Sequence, residues 1–174
     1  MSDDIPIVIP AFLVSTGIVL YTGIQASIVG SLGRRVPLYL VFAATCFCAA
    51  AFLGTTALYY TAASVAAAAT ALRWQAASIL FLLPALFVYI ALYTNQARIK
   101  PWLTVLALTC AGLLVVNFVS PYSLRFSTLE AAAPLSLPWG EKLSNFSGAF
   151  SPWNGFMRVL VLAIFGWAIW RTAI

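Results

Sequence analysis

The stretch from Leu72 to Thr94, LRWQAASILFLLPALFVYIALYT, decides the fold. After Arg73 it carries no charge as far as Thr94. A bilayer core about 30 Å thick takes roughly 20 apolar residues of helix to cross. This run is long enough, and it lacks the period-two alternation of a barrel strand. Pro84 sits in its middle, where a proline removes one backbone hydrogen bond and predicts a kink. Such a kink reads as a hinge or cavity wall, or as a bend that neighbouring helices tolerate.

Working outward, four more runs have the same character. They cover about residues 5–30, 36–60, 101–120 and 154–170, and with 72–94 they predict five transmembrane helices. The fold class is therefore all-α: a polytopic transmembrane helix bundle forming a single membrane domain over residues 1–174. Composition agrees. Hydrophobic residues make up 63% of the chain and charged residues only 7%, too few to cover a soluble surface. Trp74, Tyr93, Trp102, Trp153 and Trp170 fall near predicted helix ends, where amphipathic rings favour the headgroup level.

The formal net charge of +5 is spread thinly between apolar runs. It reads as a topology signal and not as a nucleic-acid surface. Arg34 and Arg35, then Arg98 and Lys100, occupy short connections, and Arg171 follows the last run. With five crossings these groups share one side, which the excess of basic residues assigns to the cytoplasm. The N-terminus and the 121–153 segment then face outward. The acidic start, Met1-Ser2-Asp3-Asp4, is unlike a cleavable signal peptide, so the first run is expected to be a retained helix.

Several chemistries are disfavoured at this level. Histidine is absent, which excludes imidazole ligation of haem and a Ser–His–Asp triad. Cys46, Cys48 and Cys110 lie in apolar runs, and their spacing fits no common metal or redox motif. No ionisable group lies deep in a run, which argues against an ion-coupled transporter. The expectation is a chain that is not an enzyme, with no catalytic residue, no metal and no cofactor. Gln25, Gln75, Ser78 and Asn117 are the polar groups inside helices. They serve either as interhelical hydrogen-bonding groups or, for Gln75 and Asn117 with Tyr59 and Tyr60, as the lining of an outward cavity. Gly23, Ser27 and Ser31 form a small-residue row suited to close helix packing.

The 121–153 segment reads PYSLRFSTLEAAAPLSLPWGEKLSNFSGAFSPW. Disordered linkers are poor in aromatic residues, whereas this one holds Tyr122, Phe126, Trp139, Phe146, Phe150 and Trp153. Pro134 and Pro138 set turns, and Pro138-Trp139-Gly140-Glu141 reads as a tight corner. Such a loop is expected to fold back over the outer helix ends, with Arg125 and Arg158 available to Glu130 or Glu141. It is then a lid over a ligand, a packed lid without one, or a docking surface for another subunit. If it covers a ligand, Arg73, Gln75, Arg125, Trp139 and Glu141 are the candidate contacts, and a small apolar or aromatic molecule is the expected class.

The order of these features resembles the N-terminal multi-pass membrane regions of bacterial sensor histidine kinases and diguanylate cyclases, of the seven-helix type. The resemblance rests on YTGIQASIVGSLGRRVPLYLVFAATCFC, ALRWQAASILFLLPALFVYIALYT, VSPYSLRFSTLEAAAPLSLPWGE and the run after SPWNGF. It implies a non-catalytic sensory input module that relays an extracytoplasmic or intramembrane signal inward, usually as a homodimer. The family pattern continues with about two more helices and then output domains, whereas this sequence stops at Ile174. That departure leaves a second expectation open, a stand-alone accessory or structural subunit packed against partner membrane subunits. In both cases the lipid bilayer is a partner and nucleic acid is not.

Overall fold

The computed structural model describes residues 7–32, 36–96, 99–138 and 142–173. Five helices account for most of them: α1 (Val8–Leu32), α2 (Val36–Tyr60), α3 (Val65–Tyr93), α4 (Lys100–Val119) and α5 (Pro152–Thr172). All five are long and apolar enough to cross a membrane. The chain is an all-α, membrane-type helix bundle.

Helix ends follow local chemistry. Ser64 caps α3, its Oγ accepting a hydrogen bond from the Ala67 amide at 3.2 Å. The helix begins there, at Val65, and not at the expected Leu72. The Ala-rich stretch that reads as a connection is therefore α3's first two turns. Alanine has the strongest helix propensity, and Ala68, Ala69 and Ala71 are buried under the loop described below. Pro101 stands in the first turn of α4, where its missing N–H costs nothing. Ser151 caps α5, with Pro152 next to it. The helix α3 runs unbroken through Pro84.

The tightest seam lies between α1 and α2. Gly23, Ala26 and Gly30 of α1 are buried against the face that carries Ala43, Cys46 and Ala50. Gly23 belongs to the seam as expected; Ser27 is half-buried and Ser31 is exposed. Their hydroxyls turn back to Gly23 O and Ile28 O of their own helix. A Cβ on Gly30 would stand 2.9 Å from Tyr39 Cβ, and one on Gly23 would stand 3.0 Å from Cys46 Cβ. Gly30→Ala is therefore expected to lower stability by about 1 kcal/mol despite its better helix propensity. Thermal unfolding in detergent micelles checks this, and an unchanged midpoint would mean that the seam yields at no cost.

The connection between α4 and α5 folds as one antiparallel β ribbon. Phe126 bridges Phe150. Inside that bridge β1 (Glu130–Ala131) pairs with β4 (Phe146–Ser147), and further in β2 (Leu135–Ser136) pairs with β3 (Lys142–Leu143). The register slips by one residue between successive pairs, as at β-bulges. At the first slip Thr128 and Leu129 face Gly148 alone, and a Cβ on Gly148 would lie 1.8 Å from Thr128 O. Of the expected corner at Pro138–Glu141, residues 139–141 lie outside the described ones.

The ribbon lies back over the bundle. Phe126, Leu129 and Phe146 pack with Tyr59, Ala68 and Leu72. Leu143 packs with Ile9 and Ala57, and the Ser144 amide donates to Tyr60 O at 3.2 Å. The ribbon thus covers the start of α1, the end of α2 and the start of α3. We call this the capped end and the opposite one the far end.

Candidate functional site

At the capped end three polar side chains tie α3 to α4 and to the start of the ribbon. Asn117 is fully buried, and its Nδ2 donates to Arg73 O at 2.9 Å. Ser123 is also fully buried, with its Oγ 2.7 Å from Asn117 Oδ1 and 3.2 Å from Leu72 O. It holds a φ of 67°, the left-handed region that a short polar side chain tolerates better than most. Arg73 Nη2 donates to Ser120 O at 3.1 Å and Pro121 O at 2.9 Å. These are carbonyls at the C-terminal end of α4, where a cation meets both unsatisfied acceptors and the negative end of the helix dipole. Arg73 is therefore engaged in holding the end of α4. Asn117 links helices and does not line a cavity.

Beside this knot a crevice of about 500 Å³ opens between α3 and α5, beneath residues 123–125 of the connection. Its walls are mostly apolar, including Phe52, Ile79, Met157, Val161 and Leu162. Gln75, Ser123, Arg125, Asn154 and Arg158 are its polar residues. Gln75 Nε2 donates to Thr56 Oγ1 at 2.7 Å, which fixes the amide and bridges α3 to α2. The Asn154 side-chain amide has no hydrogen-bond partner among the described residues.

The two guanidinium groups at the crevice are held by aromatic rings. Phe126 and Phe150 stack at 5.3 Å and 17°. Arg125 lies 5.2 Å from the Phe126 centroid, and Arg158 lies 5.7 Å from the Phe150 centroid. A stacked pair thus carries a cation at each of its rings, a favourable arrangement worth about 0.5–1 kcal/mol per contact at exposed sites. Arg125 also sits 5.8 Å from the Tyr59 ring. Neither arginine has a carboxylate partner among the described residues. The described acid Glu130 is exposed on β1 and makes no ion pair there.

Of the candidate contacts read from sequence, Gln75 and Arg125 meet at this crevice. Arg73 stands outside its lining, and Trp139 and Glu141 lie outside the described residues. Asn154, Met157 and Arg158 join the lining without having been candidates. The available signal was Arg158 itself, a cation one to two turns into an apolar run.

A second cavity, of about 700 Å³, lies at the far end between α3, α4 and α5. Phe87, Trp102, Trp167 and Trp170 line it together with Gln96 and Arg171. Phe87 stacks on Trp167 at 4.5 Å, and the Arg171 guanidinium lies 5.1 Å from the Trp170 ring. The helix α5 borders both cavities, and only Met157 and Ala168 of it are buried. Against protein-family models, curated proteins and solved structures, this chain finds no match.

Proposed function

We propose that this chain is the membrane-embedded sensory module of a bacterial signal-transduction receptor. In this reading the capped end faces outward, the far end faces the cytoplasm, and occupancy of the capped crevice biases the position of α5. The observation that carries the reading is the placement of α5 between two cavities. One end of the helix borders the crevice through Asn154, Met157 and Arg158, and the other borders the far cavity through Trp167, Trp170 and Arg171. A helix with two buried residues is tied less firmly than its neighbours, and weakly tied elements are the ones that move. An occupant shifts such an equilibrium only by binding one position of α5 better than the other.

Nitroxide labels on exposed residues of α3 and α5 test this. The double variant Phe81→Cys/Phe165→Cys, made with Cys46, Cys48 and Cys110 changed to Ala, reports their separation in lipid nanodiscs. The expected result is a distance distribution that shifts between phosphatidylcholine bilayers with and without added anionic or single-chain lipids. One unchanging distance under every condition would overturn the sensory reading. It would leave a structural subunit, for which co-purification of a larger membrane assembly after gentle solubilisation is the positive sign.

A further inference from the structure

We infer that the capped crevice binds an amphipathic anion, with an oxyanion head between Arg125 and Arg158 and a single acyl chain along Ile79, Val161 and Leu162. The inference deepens the sensory reading and rests on it for its biological purpose, though the site's chemistry stands by itself.

Charge is the first argument. Two guanidinium groups border one cavity, and no carboxylate among the described residues faces either of them. The stacked Phe126–Phe150 pair fixes their positions but neutralises nothing. Both side chains are exposed at the mouth of the crevice, where an anion from the surroundings can reach them and offset their mutual repulsion. A shared anion removes that cost. Guanidinium forks match carboxylate and phosphate oxygens in bidentate geometry, and the unpartnered Asn154 amide supplies a further donor.

Shape and depth give the rest. Below the two cations the walls are apolar, and the volume of about 500 Å³ suits one slender ligand. Arg158 lies six residues along α5 from Pro152, which is about 9 Å at 1.5 Å per residue. A head bound there sits near the level of lipid headgroups, and its chain points the way bilayer chains point. The shared chemistry is an oxyanion on an acyl chain. Its two sources are a free fatty acid and an anionic phospholipid of the bilayer itself.

The test is equilibrium binding of radiolabelled palmitate to the full chain in phosphatidylcholine nanodiscs, with hexadecanol as uncharged competitor. Palmitate is expected to bind saturably, and hexadecanol is expected not to displace it. Arg125→Gln/Arg158→Gln is expected to weaken binding by at least about tenfold through loss of charge-assisted hydrogen bonds. Arg125→Lys/Arg158→Lys, which keeps both charges but loses the bidentate fork, is expected to bind more tightly than the Gln variant and less tightly than the unaltered chain, and so controls for the ribbon's integrity. Displacement of palmitate when phosphatidylglycerol replaces part of the phosphatidylcholine would assign the site to the bilayer's own anionic lipid. No displacement would assign it to the free acid. Equal binding by the Gln variant and the unaltered chain would overturn the inference, as would failure of both palmitate and phosphatidylglycerol to bind. Binding without any change in the α3–α5 distance would refute the sensory reading and leave the ligand assignment intact.

Discussion

Gly148→Ala is expected to unfasten the capped end while leaving the five helices in place. The added Cβ would lie 1.8 Å from Thr128 O and 2.7 Å from Thr128 C. Neither is the tip of a flexible side chain, so the clash cannot be relieved by a rotamer change. The two strands must separate at the slip, and that strains the Ser127–Ala149 and Phe126–Phe150 pairings next to it. Overpacking of this kind costs about 3 kcal/mol at the upper end of its usual range. The stacked phenylalanines belong to the same stretch, so the two arginines lose their fixed spacing as well. Limited proteolysis of the 121–153 segment, alongside helical circular dichroism, separates the effects. Rapid cleavage with unchanged helicity is the expected pair of results. Cleavage as slow as in the unaltered chain would show that the ribbon accommodates the methyl group elsewhere.

Asn117→Leu is the second large effect. The two side chains are similar in size, so the substitution isolates the polar contribution. It removes the donor to Arg73 O and the acceptor of Ser123. Both partners lie in a region shielded from water, where an unsatisfied polar group costs about 1–3 kcal/mol. Ser123 keeps Leu72 O at 3.2 Å as an alternative acceptor, whereas Arg73 O loses its side-chain donor. The expected loss is about 2 kcal/mol, read from thermal or detergent-induced unfolding. The double variant Asn117→Leu/Ser123→Ala should be less than additive, because the second change removes a hydroxyl that has already lost the shorter of its two hydrogen bonds. Strict additivity would mean that the two side chains act independently.

The helices were legible because crossing a bilayer imposes a length and an absence of charge that a single sequence displays. Their finer placement was less so. The start of α3 was read at Leu72 because Arg73 looks like a boundary, while the earlier Ala run is only mildly apolar. Ser64, a capping residue, marked the true start. The small-residue row was only a partial guide to helix packing, since it does not say which row faces the neighbour, and Ser31 is exposed. The seam instead follows Gly23, Ala26 and Gly30.

The site was half legible. Arg125 and Gln75 stand out by residue type alone. The engagement of Arg73 does not, because its acceptors are carbonyls 47 and 48 residues away. The ribbon was hidden for a related reason. Its strands are two residues long, too short for alternation to show, so the turn signal at Pro138–Glu141 had no visible strands on either side of it.

The ribbon's packing partners also dictate an order of assembly during synthesis. Its hydrophobic side chains rest on Tyr59, Ala68 and Leu72, which leave the ribosome well before residues 126–150 do. The platform of α1, α2 and α3 can thus be inserted and packed first, and the ribbon then docks onto a finished surface. The last helix, α5, emerges after it and is tied to the ribbon at its start, where Ser151 donates its amide to Arg125 O at 3.1 Å. A nascent chain stalled before the ribbon should hold a compact three-helix core, whereas one stalled within the ribbon should leave α4 tethered at a single end.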